Sequence, residues 1–83
     1  GADKMNFIAT FYTHLSALRT ARALDGAGVQ AELAPVPRRL SSSCGTCVFY
    51  QGEDPRLEAM DRDVEAVYRR DGEDYVLLSR GED

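Results

Sequence analysis

The chain has 83 residues, 43% hydrophobic and 29% charged, with a net charge of −4. This is the balance of one small globular domain with a modest core, and the length leaves no room for a second. No run approaches the roughly 18 apolar residues of a membrane span, no basic segment followed by an apolar run marks a signal peptide, and no basic stripe interleaved with exposed aromatics points to nucleic acid.

Residues 1 to 5 are set aside as a disordered or expression-derived end, since Gly1 stands where an initiating Met is expected. Residues 7 to 79 are expected to carry the folded core. Phe7 to Tyr12 is almost continuously apolar, the pattern of a strand buried on both faces and therefore central in a sheet. Thr13 can cap a helix over His14 to Ala27, in which Ala17, Leu18, Ala21 and Leu24 form the apolar stripe and Gly28 supplies the stop. Val29 to Leu33 alternates with period two, so Val29, Ala31 and Leu33 are expected to face the helix layer. Cys47 to Gln51 reads as a third strand. Asp54 as N-cap and Pro55 at the first helical position predict a second helix over residues 55 to 64, burying Leu57, Met60 and Val64. Asp71-Gly72 is a hairpin signal that pairs Ala66 to Arg70 with Tyr75 to Ser79. The order β-α-β-β-α-β, with its last strand elaborated into a hairpin, predicts a ferredoxin-like α+β sandwich: one mixed sheet covered by two helices.

The chemistry-bearing residues collect between Pro35 and Cys47, read as Pro-Val-Pro-Arg-Arg-Leu-Ser-Ser-Ser-Cys-Gly-Thr-Cys. Two prolines stiffen the approach. Arg38 and Arg39 bring fixed positive charge, Ser41, Ser42 and Ser43 bring hydroxyl donors, and Gly45 allows a positive φ just after Cys44. Cations and donors favour a thiolate, the reactive form of cysteine. The plainer reading is an ordinary loop with a chance exposed thiol and solvated arginines. Cys44 and Cys47 also have the Cys-X-X-Cys spacing of a dithiol/disulfide pair. Pairs of that kind sit at the start of a helix, however, and Cys47 opens the strand-like run Val48-Phe49-Tyr50. Cys47 or Val48 must then face the core, and a buried thiol is inert.

Pro35-Val36-Pro37-Arg38 followed by Ser41-Ser42-Ser43-Cys44-Gly45, behind a helix that ends Ala27-Gly28-Val29, resembles the selenium/sulfur carrier-like family of small bacterial domains. The likeness runs from about Phe7 to Ser79. It implies a thiol that carries sulfur or selenium as a persulfide or selenosulfide, and the motif places that thiol on Cys44. Many members have an apolar residue where this chain has Cys47.

Two cysteines three apart close no distant loop, which fits a reducing compartment and makes the cytoplasm the expected location. With one histidine, His14, they fall short of a structural zinc set in the monomer, and no cofactor is expected. His14 at the helix start is a candidate general base, with a solvated first-turn residue as the plainer reading. Residues 1 to 52 carry five basic and three acidic side chains, a balance of +2, whereas residues 53 to 83 carry five basic and eleven acidic, a balance of −6. The cysteine segment thus lies in the basic half, and the acidic half is a candidate face for a basic partner, with a solvated surface as the plainer reading.

Three classes follow. The first is a carrier in which Cys44 receives a chalcogen from a donor protein and passes it to an acceptor, with Arg38, Arg39, Ser41, Ser42, Ser43 and Gly45 around it. The second is a dithiol redox protein in which Cys47 resolves Cys44. The third is a binding or regulatory module whose thiols are incidental. No hydrolase or metalloenzyme constellation is present, so a carrier or partner protein is expected rather than a stand-alone enzyme. A core this small would gain from a homodimer.

Overall fold

The computed structural model describes residues 4–81. The elements are β1 (Met5–Phe11), α1 (His14–Gly26), β2 (Ala31–Pro35), β3 (Thr46–Gly52), a single 3₁₀ turn at Leu57–Ala59, β4 (Val64–Asp71) and β5 (Asp74–Arg80). The strands form one sheet in the order β2-β3-β1-β4-β5. Every pairing in it is antiparallel, which corrects the expected mixed sheet. β1 and β2 run the same way but do not touch, because β3 lies between them.

β1 is central because its residues suit neither face to water. Phe7 to Phe11 are all buried. Phe7, Ala9 and Phe11 point toward the helix, where they meet Ala17 and Leu24 of α1, Val29, Val48 and Tyr50 of the β3 side, and Val67 of β4. Phe7 and Tyr50 are register partners, and their rings stack with centroids 5.2 Å apart. Ile8 and Thr10 point to the opposite face with Cys47 and Ala66, and these are buried as well.

The helix starts and stops as its sequence predicts. Thr13 is extended and its hydroxyl accepts from the Ser16 N–H at 3.1 Å. At the other end Gly28 takes a φ of 81°, and the Val29 N–H bonds back to the Leu24 carbonyl at 2.9 Å. The buried face of α1 is nevertheless rotated from the apolar stripe: Ser16 and Thr20 are fully buried beside Ala17 and Leu24, whereas Leu18 and Ala21 are half-buried. Both polar side chains grip Asp61. The Ser16 hydroxyl donates to Asp61 Oδ2 at 2.8 Å, and Thr20 Oγ1 accepts from the Asp61 N–H at 3.0 Å.

That grip falls where a second helix over 55–64 was expected, and the expectation fails for local reasons. Asp54 caps no helix: its Oδ1 accepts from the Arg56 N–H at 2.8 Å in a local turn, and Arg56 then takes the left-handed region at φ 51°. Only one 3₁₀ turn follows before Met60 becomes extended. Leu57 is 44% exposed, and Val64 belongs to β4. The stripe Leu57–Met60–Val64 therefore never forms, and one helix rather than two packs on the sheet. The hairpin is longer than expected at both ends, and because Asp71 still pairs with Asp74 its two-residue turn is Gly72-Glu73, one residue beyond the Asp71-Gly72 signal. No helix among the described residues is long and apolar enough to cross a membrane.

The two leucines distinguish this arrangement from a two-helix sandwich. Leu24→Ala should cost about 2–5 kcal/mol, the range for emptying a close-packed site. Leu57→Ala should change stability by less than about 0.5 kcal/mol, as an exposed position does. Urea denaturation of both variants measures the contrast, and equal losses would restore a buried second helix.

Candidate functional site

The segment between β2 and β3 is closed at its base: the Val36 N–H donates to the Gly45 carbonyl at 3.1 Å, so the chain leaves and re-enters the sheet at nearly one point. Gly45 has a φ of 74°, a conformation a side chain would strain. A turn at Pro37, whose carbonyl accepts from the Leu40 N–H at 3.0 Å, reverses the chain within the loop.

Five polar contacts fix the loop to distant elements. Arg39 Nη1 donates to the Glu73 carbonyl at 2.8 Å and to Asp74 Oδ1 at 2.9 Å, at the β4–β5 turn. The Ser42 hydroxyl donates to the Phe11 carbonyl at 3.1 Å. The Ser43 N–H and hydroxyl donate to the two carboxylate oxygens of Glu65 at 3.2 and 3.3 Å. Arg38 and Ser41 are exposed, and among the described residues neither makes a side-chain hydrogen bond or ion pair within the molecule.

The two thiols have different surroundings. Cys44 is half-buried, packs beside the helix-side cluster and donates from Sγ to the Thr46 carbonyl at 3.4 Å. Thr46 also holds His14, whose Nδ1 lies 3.3 Å from the Thr46 hydroxyl oxygen. The start of α1 is thereby set against the residue that holds the Cys44 thiol. Cys47 is fully buried, alternates with Val48 and so faces away from the helix, where its Sγ donates to the Pro35 carbonyl at 3.6 Å. Burial pushes the Cys47 thiol up to about 11, and the neighbouring Cys44 pushes in the same direction. Both cysteines are free thiols.

Of the residues singled out from the sequence, the fold brings Ser42, Ser43, Cys44 and Gly45 together at one end of the sheet. Arg39 is carried away to the β4–β5 turn. Thr46, Glu65 and the Phe11 carbonyl complete the neighbourhood, Asp74 holds Arg39 at the other end of the sheet, and sequence reasoning missed all four. The charge asymmetry was their one signal: the basic segment is held in part by the acidic half of its own chain. A shallow groove on the helix-free face, lined by Asn6, Ile8, Phe49, Gln51, Arg70 and Tyr75 among others, includes neither cysteine. Among the described residues no group of three His, Cys, Asp or Glu side chains is placed to hold a metal ion.

A small α+β domain that presents one half-exposed thiol on a closed loop is the class this geometry defines. The chain matches the family described as "Putative Se/S carrier protein-like" over residues 6–62, more than half its length, and it belongs to that family. The match ends just before the β4–β5 hairpin. A search of curated proteins and a search of solved structures find no significant match.

Two measurements check the assignment of the thiols. Alkylation of the folded protein, mapped by mass spectrometry, should label Cys44 before Cys47, and the reverse order would contradict it. The second is a pH dependence. Below the ordinary thiol value of 9.0, Cys47 is protonated in both states and contributes none. Between about 9 and 11 the unfolded chain loses this proton while the folded chain keeps it, so stability falls as pH rises, by up to about 1.4 kcal/mol per pH unit. Chemical denaturation from pH 8 to 11 should show this fall in the wild type and a shallower one in Cys47→Ala.

Proposed function

We infer that the protein is a sulfur or selenium carrier that holds a persulfide or selenosulfide on Cys44 and hands it from one protein to another. The observation that carries this reading is the contrast between the thiols: Cys44 is partly open on a closed loop, whereas Cys47 is fully buried with its proton held tightly. The family to which the chain belongs supports it.

The exchange needs no cofactor. The Cys44 thiolate attacks the outer sulfur of a donor's persulfide, the donor's sulfur–sulfur bond breaks, and its cysteine leaves as a thiolate while Cys44 gains the sulfur. Delivery reverses the roles, with an acceptor nucleophile taking the outer atom. Before loading, the Cys44 proton must leave the Thr46 carbonyl, because a thiolate has no hydrogen to donate there. Arg38 and the Ser41 hydroxyl remain available to an approaching partner or to the bound chalcogen. Arg39, Ser42 and Ser43 act by fixing the loop. A reducing cytoplasm suits this chemistry, since an oxidised Cys44 cannot load. As to ancestry, we read the order β2-β3-β1-β4 as a ferredoxin-like frame whose second helix has shrunk to the turn at Leu57–Ala59.

The dithiol redox alternative is less favoured, because Cys47 faces the side of the sheet opposite the cluster on which Cys44 packs. Incubation with a cysteine desulfurase and labelled cysteine, read by intact mass, separates the two. Cys44→Ser should abolish loading and Cys47→Ser should retain it. Equal loading of Cys44→Ser and wild type, or loading that needs both thiols, would overturn the carrier assignment.

A further inference from the structure

Thr10, Cys47 and Ala66 lie on the face of the sheet that α1 does not cover, yet they are 0%, 0% and 1% exposed. They are small side chains, so something must lie over them. Val36, Pro37 and Leu40 are half-buried but stand outside the helix-side cluster. The loop starts at Pro35, where edge strand β2 ends opposite Thr46. Arg39 reaches the first residue of β5, the opposite edge strand, at the other end of the sheet. A segment that begins at one corner and reaches its Arg39 partner at the opposite corner spans the helix-free face, and Cys47, whose Sγ donates to the Pro35 carbonyl, lies at its start. Among the described residues its far end is held by Arg39 alone, through one carbonyl and one carboxylate; the ion pair is solvent-exposed, with side-chain exposures of 59% and 81%. Such a latch is weak and reversible.

We propose that residues 36–44 form a strap whose release from Asp74 uncovers Cys47, and that the closed strap preserves the cargo on Cys44 by keeping this second thiol out of reach. The second half rests on the carrier reading. Uncovered, Cys47 attacks the inner sulfur of a Cys44 persulfide. The Cys44–Cys47 disulfide forms, the outer sulfur departs with two protons as hydrogen sulfide, and no external oxidant is required because the persulfide is itself reduced. The open strap stays tied to Phe11 and Glu65 through Ser42 and Ser43, so it holds Cys44 within three residues of the uncovered thiol. Closed, it confines exchange to a thiol brought by a partner.

The experiment has two arms. In the first, cargo-free protein is pulsed with iodoacetamide, and Cys47 labelling is compared among wild type, Arg39→Ala, Asp74→Asn and the exposed-helix control Arg22→Ala. Both latch variants should label Cys47 faster by about twofold to tenfold, as loss of an exposed charged contact allows, with the control unchanged. Wild-type rates in both latch variants would overturn the strap. In the second arm, the same proteins are loaded with inorganic polysulfide and followed for sulfide release and for the intramolecular disulfide. Arg39→Ala should release sulfide faster than wild type, and Arg39→Ala combined with Cys47→Ser should return to the wild-type rate. Release that is equally fast without Cys47 would overturn the protective role. Failure of wild type to load from any donor would refute the carrier reading and with it the protective role, while the strap stands or falls on the alkylation rates.

Discussion

One helix of 13 residues cannot cover a five-stranded sheet on both faces, and the rest of the molecule is arranged around that shortage. α1 packs over β1, β2 and β3 and leaves the opposite face bare. β1 has apolar or buried side chains on both sides, so the bare face must also be closed. The cysteine loop closes the end of that face at Thr10, Cys47 and Ala66, while the groove past Asn6, Phe49 and Tyr75 stays open. The segment that displays Cys44 is thus also the lid over Cys47, and the different environments of the two thiols have a single origin in the topology.

The place of a second helix is taken by a polar grip. Ser16 and Thr20, which would be poor choices for a buried helix face on hydrophobicity alone, are satisfied by Asp61. A buried hydroxyl without such a partner costs more than the hydrogen bond itself contributes, so the three residues hold one another in register. The grip also sets the path of the chain into β4, whose bulge places Glu65 beside Ser43. A contact on the far side of α1 in this way helps to position the site loop.

What could be read from the sequence were features with local causes. β1 announced itself by an unbroken apolar run, α1 by Thr13 and Gly28, and the hairpin by Asp71-Gly72, each a signal within a few residues of its effect. The conformation of Gly45 belongs to the same kind. The second helix was misread because Asp54-Pro55 is a genuine start signal, and nothing nearby revealed that Arg56 would turn left-handed or that Asp61 would be claimed by Ser16, 45 residues away. Arg39 was expected beside Cys44 from its position in the chain. Its charge instead found the carboxylate of Asp74, 35 residues on, in the acidic half that looked like a surface for an outside partner. Long-range pairings of this sort leave only a charge imbalance in the sequence.

The claim on which the account turns is that the extra sulfur sits on one particular thiol of the native chain. Trypsin places both cysteines in a single peptide, residues 40–56, between the cleavage sites at Arg39 and Arg56. Wild-type protein loaded by a desulfurase, alkylated to trap the persulfide and fragmented in the mass spectrometer should therefore show the added sulfur on fragments that contain Cys44 but not Cys47. Added sulfur confined to fragments that contain Cys47 would contradict the account.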